Sequence, residues 1–324
     1  MRRSEAPVAG QRWLPRINWQ VGIVWLCAAA TVPASRLFSP DLPNFGMIAS
    51  VAPLVLVLAV VAFGQGIVIL AGGFDLSVAP VVTLGAFVAG TLANGRAHWL
   101  VAVAAALAVC AAAGAVSGAL VAFAKFPPFI VTLAVGSMLA SAMLGASRGS
   151  PAQPSPKALT ALFAHGAALG GVPVSVCLLL AVGLAGFLAQ HRTRLGRAAA
   201  AVGGSQRAAA IAGIGVKRAT VEVYAVAGAA YGVAGVLLLG YSAGADLTTG
   251  SAWLLPSIAA VVVGGSAMSG GSGSYLGTVG GAALLTLLST DINALGIAEG
   301  WKQVLYGAII VVALVVTRLS RGGR

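Results

Sequence analysis

Ala97 to Ala124 reads AHWLVAVAAALAVCAAAGAVSGALVAFA, 28 residues between Arg96 and Lys125 without a charged side chain. A helix that crosses the hydrocarbon core of a bilayer needs about 20 mostly apolar residues. This stretch is longer than that, and it is apolar on every face of a helical wheel, so its solvent is lipid or other helices rather than water. The rest of the chain has the same character. Of 324 residues, 59% are hydrophobic and 8% are charged, against about 25% charged in soluble domains. That composition cannot coat a water-soluble surface. It excludes a soluble enzyme, a nucleic-acid-binding domain and a disordered chain.

Other charge-free runs flank the first. There are 19 residues between Arg16 and Arg36, 33 between Asp41 and Asp75, 22 between Lys125 and Arg148, and 34 between Lys157 and Arg192. The run of 44 from Asp246 to Asp291 is too long for one helix, and GGSGS at Gly270–Ser274 divides it. The expected spans are 18–35, 49–70, 76–94, 98–122, 127–147, 174–190, 220–240, 254–268, 275–290 and 302–317. The fold class is therefore an all-α polytopic membrane protein of about ten transmembrane helices (8–10). Gly and Pro cluster at the ends of 76–94 and 254–268, so a broken or re-entrant helix is the alternative at those two places.

The placement of Lys and Arg sets the orientation. With the N-terminus cytoplasmic and the spans alternating, 14 of the 19 basic residues fall inside and 5 outside. Both termini are then cytoplasmic. The formal charge of +12 follows from topology, and no nucleic-acid partner is implied. The organisation is a cytoplasmic tail over 1–17, a transmembrane domain over 18–317 and a cytoplasmic tail over 318–324. Cys27, Cys110 and Cys177 lie far apart in apolar runs and form no metal or disulfide pattern. His98, His165 and His191 are scattered, so no metal site is expected. Glu222 follows Arg218 by four residues, which predicts an ion pair along one helix face.

The longest polar stretch on the predicted inner side is 191–219, HRTRLGRAAAAVGGSQRAAAIAGIGVKRA, with six Lys or Arg. Ser205 can cap a short helix over Gln206–Ala212, and Gly213 can stop it. Such a helix, presenting Ile211 among small residues, suits a groove on a cytosolic partner. A loop that only fixes topology is the plainer alternative.

Four segments carry a resemblance. They are LAGGFDLSVAPVVTL (Leu70–Leu84), FPPFIVTLAVGSM (Phe126–Met138), LGRAAAAVGGSQRAAAIAGI (Leu195–Ile214) and SIAAVVVGGSAMSGGSGSYLGTVGGA (Ser257–Ala282). In this order and spacing the chain resembles the permease subunit of bacterial ABC importers for simple sugars, the ribose, xylose and galactose type, from about residue 42 to 316. It departs from that pattern at Gln206 and Arg207, where acidic residues are common, at Ser205 for Asn, at Ser272 for Arg, and at Leu254 and Pro256.

The resemblance implies a multi-pass protein of the bacterial inner membrane that passes a monosaccharide or similar small polyol. It implies no cofactor in this chain, with ATP and Mg held by a separate cytosolic ATPase subunit. It also implies a periplasmic or lipoprotein solute-binding protein and a second permease copy, with membrane lipid around them. The coupling loop is assigned to Gly203, Gly204, Ser205, Gln206, Arg207, Ala208, Ile211 and Gly213. A polar solute path is assigned to Asp75, Ser77, Thr132 and Ser137, with helix capping as the structural alternative for Asp75. Gly72, Gly73, Gly264, Gly265, Gly270 and Gly271 are expected to serve close packing and sharp turns. The glycine spacing matches no phosphate loop, and the chain contains no Gly-Lys pair. No catalytic residues are assigned. The alternatives are the same mechanism with branched-chain amino acids or nucleosides as cargo, and an ion-driven carrier.

Overall fold

The computed structural model describes residues 19–37, 45–95, 97–148, 153–163, 168–169 and 172–322. The expected N-terminal tail, 1–17, and His165 lie outside these residues. The protein is all-α apart from two short pairings, Gln153–Pro154 with Gly244–Ala245 and Ala168–Leu169 with Val172–Pro173. The helices are α1 (Trp19–Ala34), α2 (Phe45–Leu70), α3 (Val78–Asn94), α4 (Trp99–Phe123), α5 (Pro128–Ala146), α6 (Lys157–Phe163) and α7 (Val174–Arg192). They continue as α8 (Arg194–Gly204), α9 (Gln206–Ile211), α10 (Val216–Tyr241), α11 (Leu254–Val263), α12 (Tyr275–Ala294) and α13 (Glu299–Gly322).

Six helices among the described residues, α2, α4, α5, α7, α10 and α12, are long and apolar enough to cross a membrane. Helices α1, α3 and the 251–263 segment are apolar but shorter. The last two are the segments whose ends are rich in Gly and Pro. Helix α3 starts late, at Val78, because the chain first makes a turn, whereas α11 starts at Leu254 as expected and ends early, at Val263.

Helices α2 and α10 form the centre, where Leu56, Val57, Tyr231 and Leu239 are fully enclosed. They run antiparallel. Gln65 meets Tyr231, whereas Phe74, just past the end of α2, meets Tyr224. Helix α4 lies against α10 backbone to backbone. A Cβ on Gly114 would sit 2.1 Å from the Tyr224 carbonyl oxygen, and one on Gly228 would sit 2.3 Å from that of Cys110. Gly277 and Gly281 bring α12 equally close to α11. The paired small residues therefore close helix contacts within this chain. Only small residues permit such approach, and in lipid close packing replaces the hydrophobic effect as the source of helix association.

The helix boundaries repeat. Val216 is 171 residues after Phe45, and Tyr241 is 171 after Leu70, so α10 has the length and limits of α2 shifted by that interval. Helices α4 and α12 end at Phe123 and Ala294, and α5 and α13 begin at Pro128 and Glu299, again 171 apart. Since α2 and α10 are antiparallel, α2–α5 and α10–α13 form an inverted pair. One contact joins equivalent positions of the two halves: a Cβ on Gly250 would lie 2.0 Å from the carbonyl oxygen of Ala79. The pseudo-twofold axis passes beside it. The Gly250 N–H also donates to Thr83 Oγ1 at 3.0 Å.

Candidate functional site

The coupling segment is two helices rather than the single short one expected. Thr193 caps α8 by accepting from the Gly196 N–H at 3.1 Å. Gly196, Ala199 and Val202 then line the buried side of α8. The pattern was hidden by its small residues, since alanine reads neither as core nor as surface. Ser205 turns the chain in an extended conformation and caps α9, its Oγ accepting from the Ala208 N–H at 3.2 Å. Gly213 ends α9 at φ +81°, which a residue with a Cβ adopts only at a cost. Gln206, Arg207, Ala208 and Ile211 are exposed, and Ile211 at 81% is the most exposed large apolar side chain among the described residues.

The far end of α8 is buried against two other loops. A Cβ on Gly203 would fall 1.9 Å from the Leu70 carbonyl oxygen and 2.6 Å from the Gly271 nitrogen. The Gly271 N–H donates to that same carbonyl at 2.8 Å. Gly72, Gly270 and Gly271 all have positive φ here, and Gly270 is pressed against Gly72. Three loops thus meet backbone to backbone: the end of α2, the end of α8 and the α11–α12 connection. Gly204 is exposed beside this junction. Gly264 and Gly265 are elsewhere. They close α11 in a Schellman turn, with the Ser266 N–H donating to Val261 O and the Gly265 N–H to Val262 O. Gln190 reinforces the junction, donating to Gly273 O at 2.9 Å and accepting from the Tyr275 N–H at 2.6 Å. Nothing in the sequence set Gln190 apart, since it is the first of three polar residues, with His191 and Arg192, that end α7.

One step from the junction is the Asp75 turn. The Ser77 N–H and Oγ–H both donate to Asp75 Oδ1, at 2.8 and 2.6 Å. The carboxylate closes the turn before α3 and does not cap the helix itself, whose N-cap is Ser77. The Leu76 N–H donates to Thr132 Oγ1 on α5 at 2.9 Å, and Tyr224 Oη on α10 donates to Phe74 O at 3.1 Å. A Cβ on Gly73 would lie 2.7 Å from Tyr224 Oη. The structure therefore gathers Asp75, Ser77 and Thr132 in one buried cluster, with Asp75 1% exposed. It sets Ser137 apart, exposed and bonded back to Leu133 O of its own helix. A cavity of about 800 Å³ lies between the Asp75 turn and the coupling segment, bounded by Gly72, Gly73, Lys125, Gln206, Arg207 and Tyr224 among others.

The sequence holds a second such turn that its reading missed. Ala243–Thr248, AGADLT, stands 171 residues after Gly72–Ser77, GGFDLS. The Thr248 N–H and Oγ1–H both donate to Asp246 Oδ1 at 2.8 Å. Ala243 has φ +55° where Gly72 has +77°. Bonds from Thr248 and then Thr249 hold the Asp246 carboxyl below the usual carboxylate range. The ion pair expected along one helix face is present, with Arg218 Nε 2.7 Å from Glu222 Oε1.

Comparisons with known proteins cover most of the chain. Residues 47–314 match a family described as the branched-chain amino acid transport system / permease component. The ribose import permease protein of Escherichia coli (strain K12) is 36% identical over 261 residues, covering 80% of this chain and 81% of that protein. The ribose import permease protein of Bacillus subtilis (strain 168) is 33% identical over 267 residues, 80% of each chain. The autoinducer 2 import system permease protein of Escherichia coli (strain SMS-3-5 / SECEC) is 30% identical over 311 residues, 94% of this chain and 93% of that protein. No solved structure matches.

Proposed function

The chain belongs to the branched-chain amino acid transport system / permease component family, and from that premise we propose that it is the membrane permease of an ATP-driven importer for a monosaccharide or similar small polyol. The named relatives that import ribose and autoinducer 2 support the cargo class. The family's printed description keeps branched-chain amino acids as the second reading.

In this proposal about ten segments cross the inner membrane, with both termini cytoplasmic. The three shorter apolar helices and α13 cross alongside the six long ones. From the start of α2 to the start of α10 the chain crosses five times, in α2–α5 and α7, and that odd number agrees with their antiparallel packing. The same alternation sends the Leu70, Lys125, Gly203 and Gly270 ends to the cytosol. Two copies of the chain pair around the solute path, and a solute-binding protein delivers cargo from outside. ATP and Mg belong to a separate ATPase docked on residues 194–217. Asp75, Ser77, Thr132 and Ser137 contribute to the polar path.

The observation that carries this reading is the three-loop junction. An exposed helix bearing Ile211 leads, through Gly203, directly onto the carbonyl of Leu70 and so onto the Asp75 turn. A push on α9 therefore reaches the membrane-buried turn through backbone contacts that have no side chain to deform. Gly204→Arg or Ala208→Glu should abolish both solute uptake and co-purification of the ATPase while the permease stays in the membrane. Normal uptake in both variants would remove the docking assignment. Uptake that persists without the ATPase and collapses with an uncoupler would point to an ion-driven carrier instead.

A further inference from the structure

The cavity between the Asp75 turn and the coupling segment has an unusual rim. Lys125, Arg207 and Lys217 all line it, and none of the other lining residues is acidic. The nearest carboxylates along the chain are committed elsewhere: Glu222 pairs with Arg218, and Asp75 is bonded to Ser77. All three cations are exposed. Lys217 Nζ sits 5.2 Å from the centre of the Phe123 ring, a contact that orients the ammonium without neutralising it. The other polar groups on the wall are Gln206, Thr220 and Tyr224.

Lys125 is held in the left-handed region at φ +58°. A side chain there costs about 1–2 kcal/mol relative to an ordinary conformation. Glycine would relieve that strain, so a lysine in this place trades local stability for a charge aimed at the cavity. A volume of about 800 Å³ is within the range that holds small organic ligands, roughly 300–1,000 Å³. The apolar wall, which includes Val121, Phe126 and Pro127, accepts the uncharged part of such a ligand.

We infer that this cavity is a binding site for a phosphate-bearing anion, with Lys125, Arg207 and Lys217 as its cationic ligands. The phosphate can belong to a free phosphate or phosphate ester, or to the headgroup of an anionic phospholipid, since basic pockets at the cytoplasmic side of membrane helices also take lipid headgroups. The inference uses only the cavity and its charges, so it stands or falls separately from solute uptake.

The test is the melting midpoint of the purified full-length chain in phosphatidylcholine nanodiscs. Inorganic phosphate is titrated against sodium chloride of equal ionic strength. Phosphate well above its dissociation constant should raise the midpoint by about 2–4 °C. The Lys125→Gln/Lys217→Gln double variant should lose that rise, and Arg218→Gln, which removes a cation outside the cavity, should keep it. Lys125→Gly is the safeguard for folding. It relieves the backbone, so its midpoint without phosphate should be at least that of the parent, yet its response to phosphate should fall. If the parent responds only when phosphatidylglycerol is added to the nanodisc, and the double variant does not, the headgroup is the source. Absence of a response to either probe, or an equal response in the double variant, overturns the site.

Discussion

Gly72–Ser77 and Ala243–Thr248 are the same turn built twice, and their surroundings differ. In each, an aspartate accepts from the backbone and hydroxyl of the residue two positions on. In the first the carboxylate is enclosed, roofed by Thr132 of α5 and Tyr224 of α10. In the second it is exposed. The position 171 residues after Thr132 is Gln303, which is exposed and leaves the second turn unroofed. Short polar side chains bonding their own backbone make the turn a local property. Burial comes from the neighbours. The first copy is pressed against the end of α8 through Gly72 and Gly203, and the second packs on α3 and α10 through Ala245 and Leu247 as well as Gly250. The inverted halves have therefore diverged in what holds each turn, while the turn itself is shared.

Breaking the contact between the halves should have the largest effect. Gly250→Ala drives a methyl group into the Ala79 carbonyl and strains the bond to Thr83, and should cost about 3 kcal/mol. The reciprocal Ala79→Gly removes a methyl and should cost only about 0.5–1 kcal/mol. Unfolding in detergent, followed by circular dichroism, separates the two, and equal losses would contradict the close approach of Gly250 to the Ala79 carbonyl. Next come the two carboxylates. Asp75→Ala leaves the Ser77 N–H buried without a partner and should cost about 1–3 kcal/mol, whereas Asp246→Ala, facing water, should cost less than about 1 kcal/mol. A larger loss at Asp246 would reverse the assignment of which copy is structural.

The two left-handed positions should respond with opposite signs. Gly72→Ala places a Cβ at φ +77° and should destabilise by about 1–2 kcal/mol. Ala243→Gly relieves φ +55° and should stabilise by up to about 1 kcal/mol, the gain being trimmed by the freedom glycine has when unfolded. The smallest effect is that of acid. Bonds from Thr248 and Thr249 lower the Asp246 carboxyl when folded, so the stability it contributes is full above the unfolded value of about 3.9. It is lost as pH falls through the lower folded value. The difference in melting midpoint between the parent and Asp246→Ala should be flat near neutrality and shrink below about pH 4. A difference that grows on acidification would mean the carboxylate is not held by those hydroxyls.

Much of this could be read from residues. Charge-free runs such as Ala97–Ala124 mark the helices, because lipid leaves a backbone no other way to satisfy its hydrogen bonds. Ser205 and Gly213 bounded α9 because capping is local. Pro128 opened α5 for the same reason, with its fixed φ at the first helical position. Helix α8 was missed, since its arginines and glycines, Arg194, Gly196, Arg197, Gly203 and Gly204, read as a basic loop. The inverted pairing was missed as well, since little beyond GxDL[ST] and scattered small residues such as Gly64 and Gly235 survives of the repeat at the level of sequence.

Composition and pattern by themselves determined that this chain lives in lipid, where its long apolar helices fall, and that Ser205 and Gly213 bound α9. Those are consequences of solvent and of neighbours along the chain. Tertiary structure alone decided that Gly203, Leu70 and Gly271 meet, that Asp75 is sealed while Asp246 is open, and that Lys125, Arg207 and Lys217 share one cavity. Each of these depends on backbones from distant segments approaching within a bond length or two. Such approach is set by how whole helices pack, which no stretch of sequence encodes on its own.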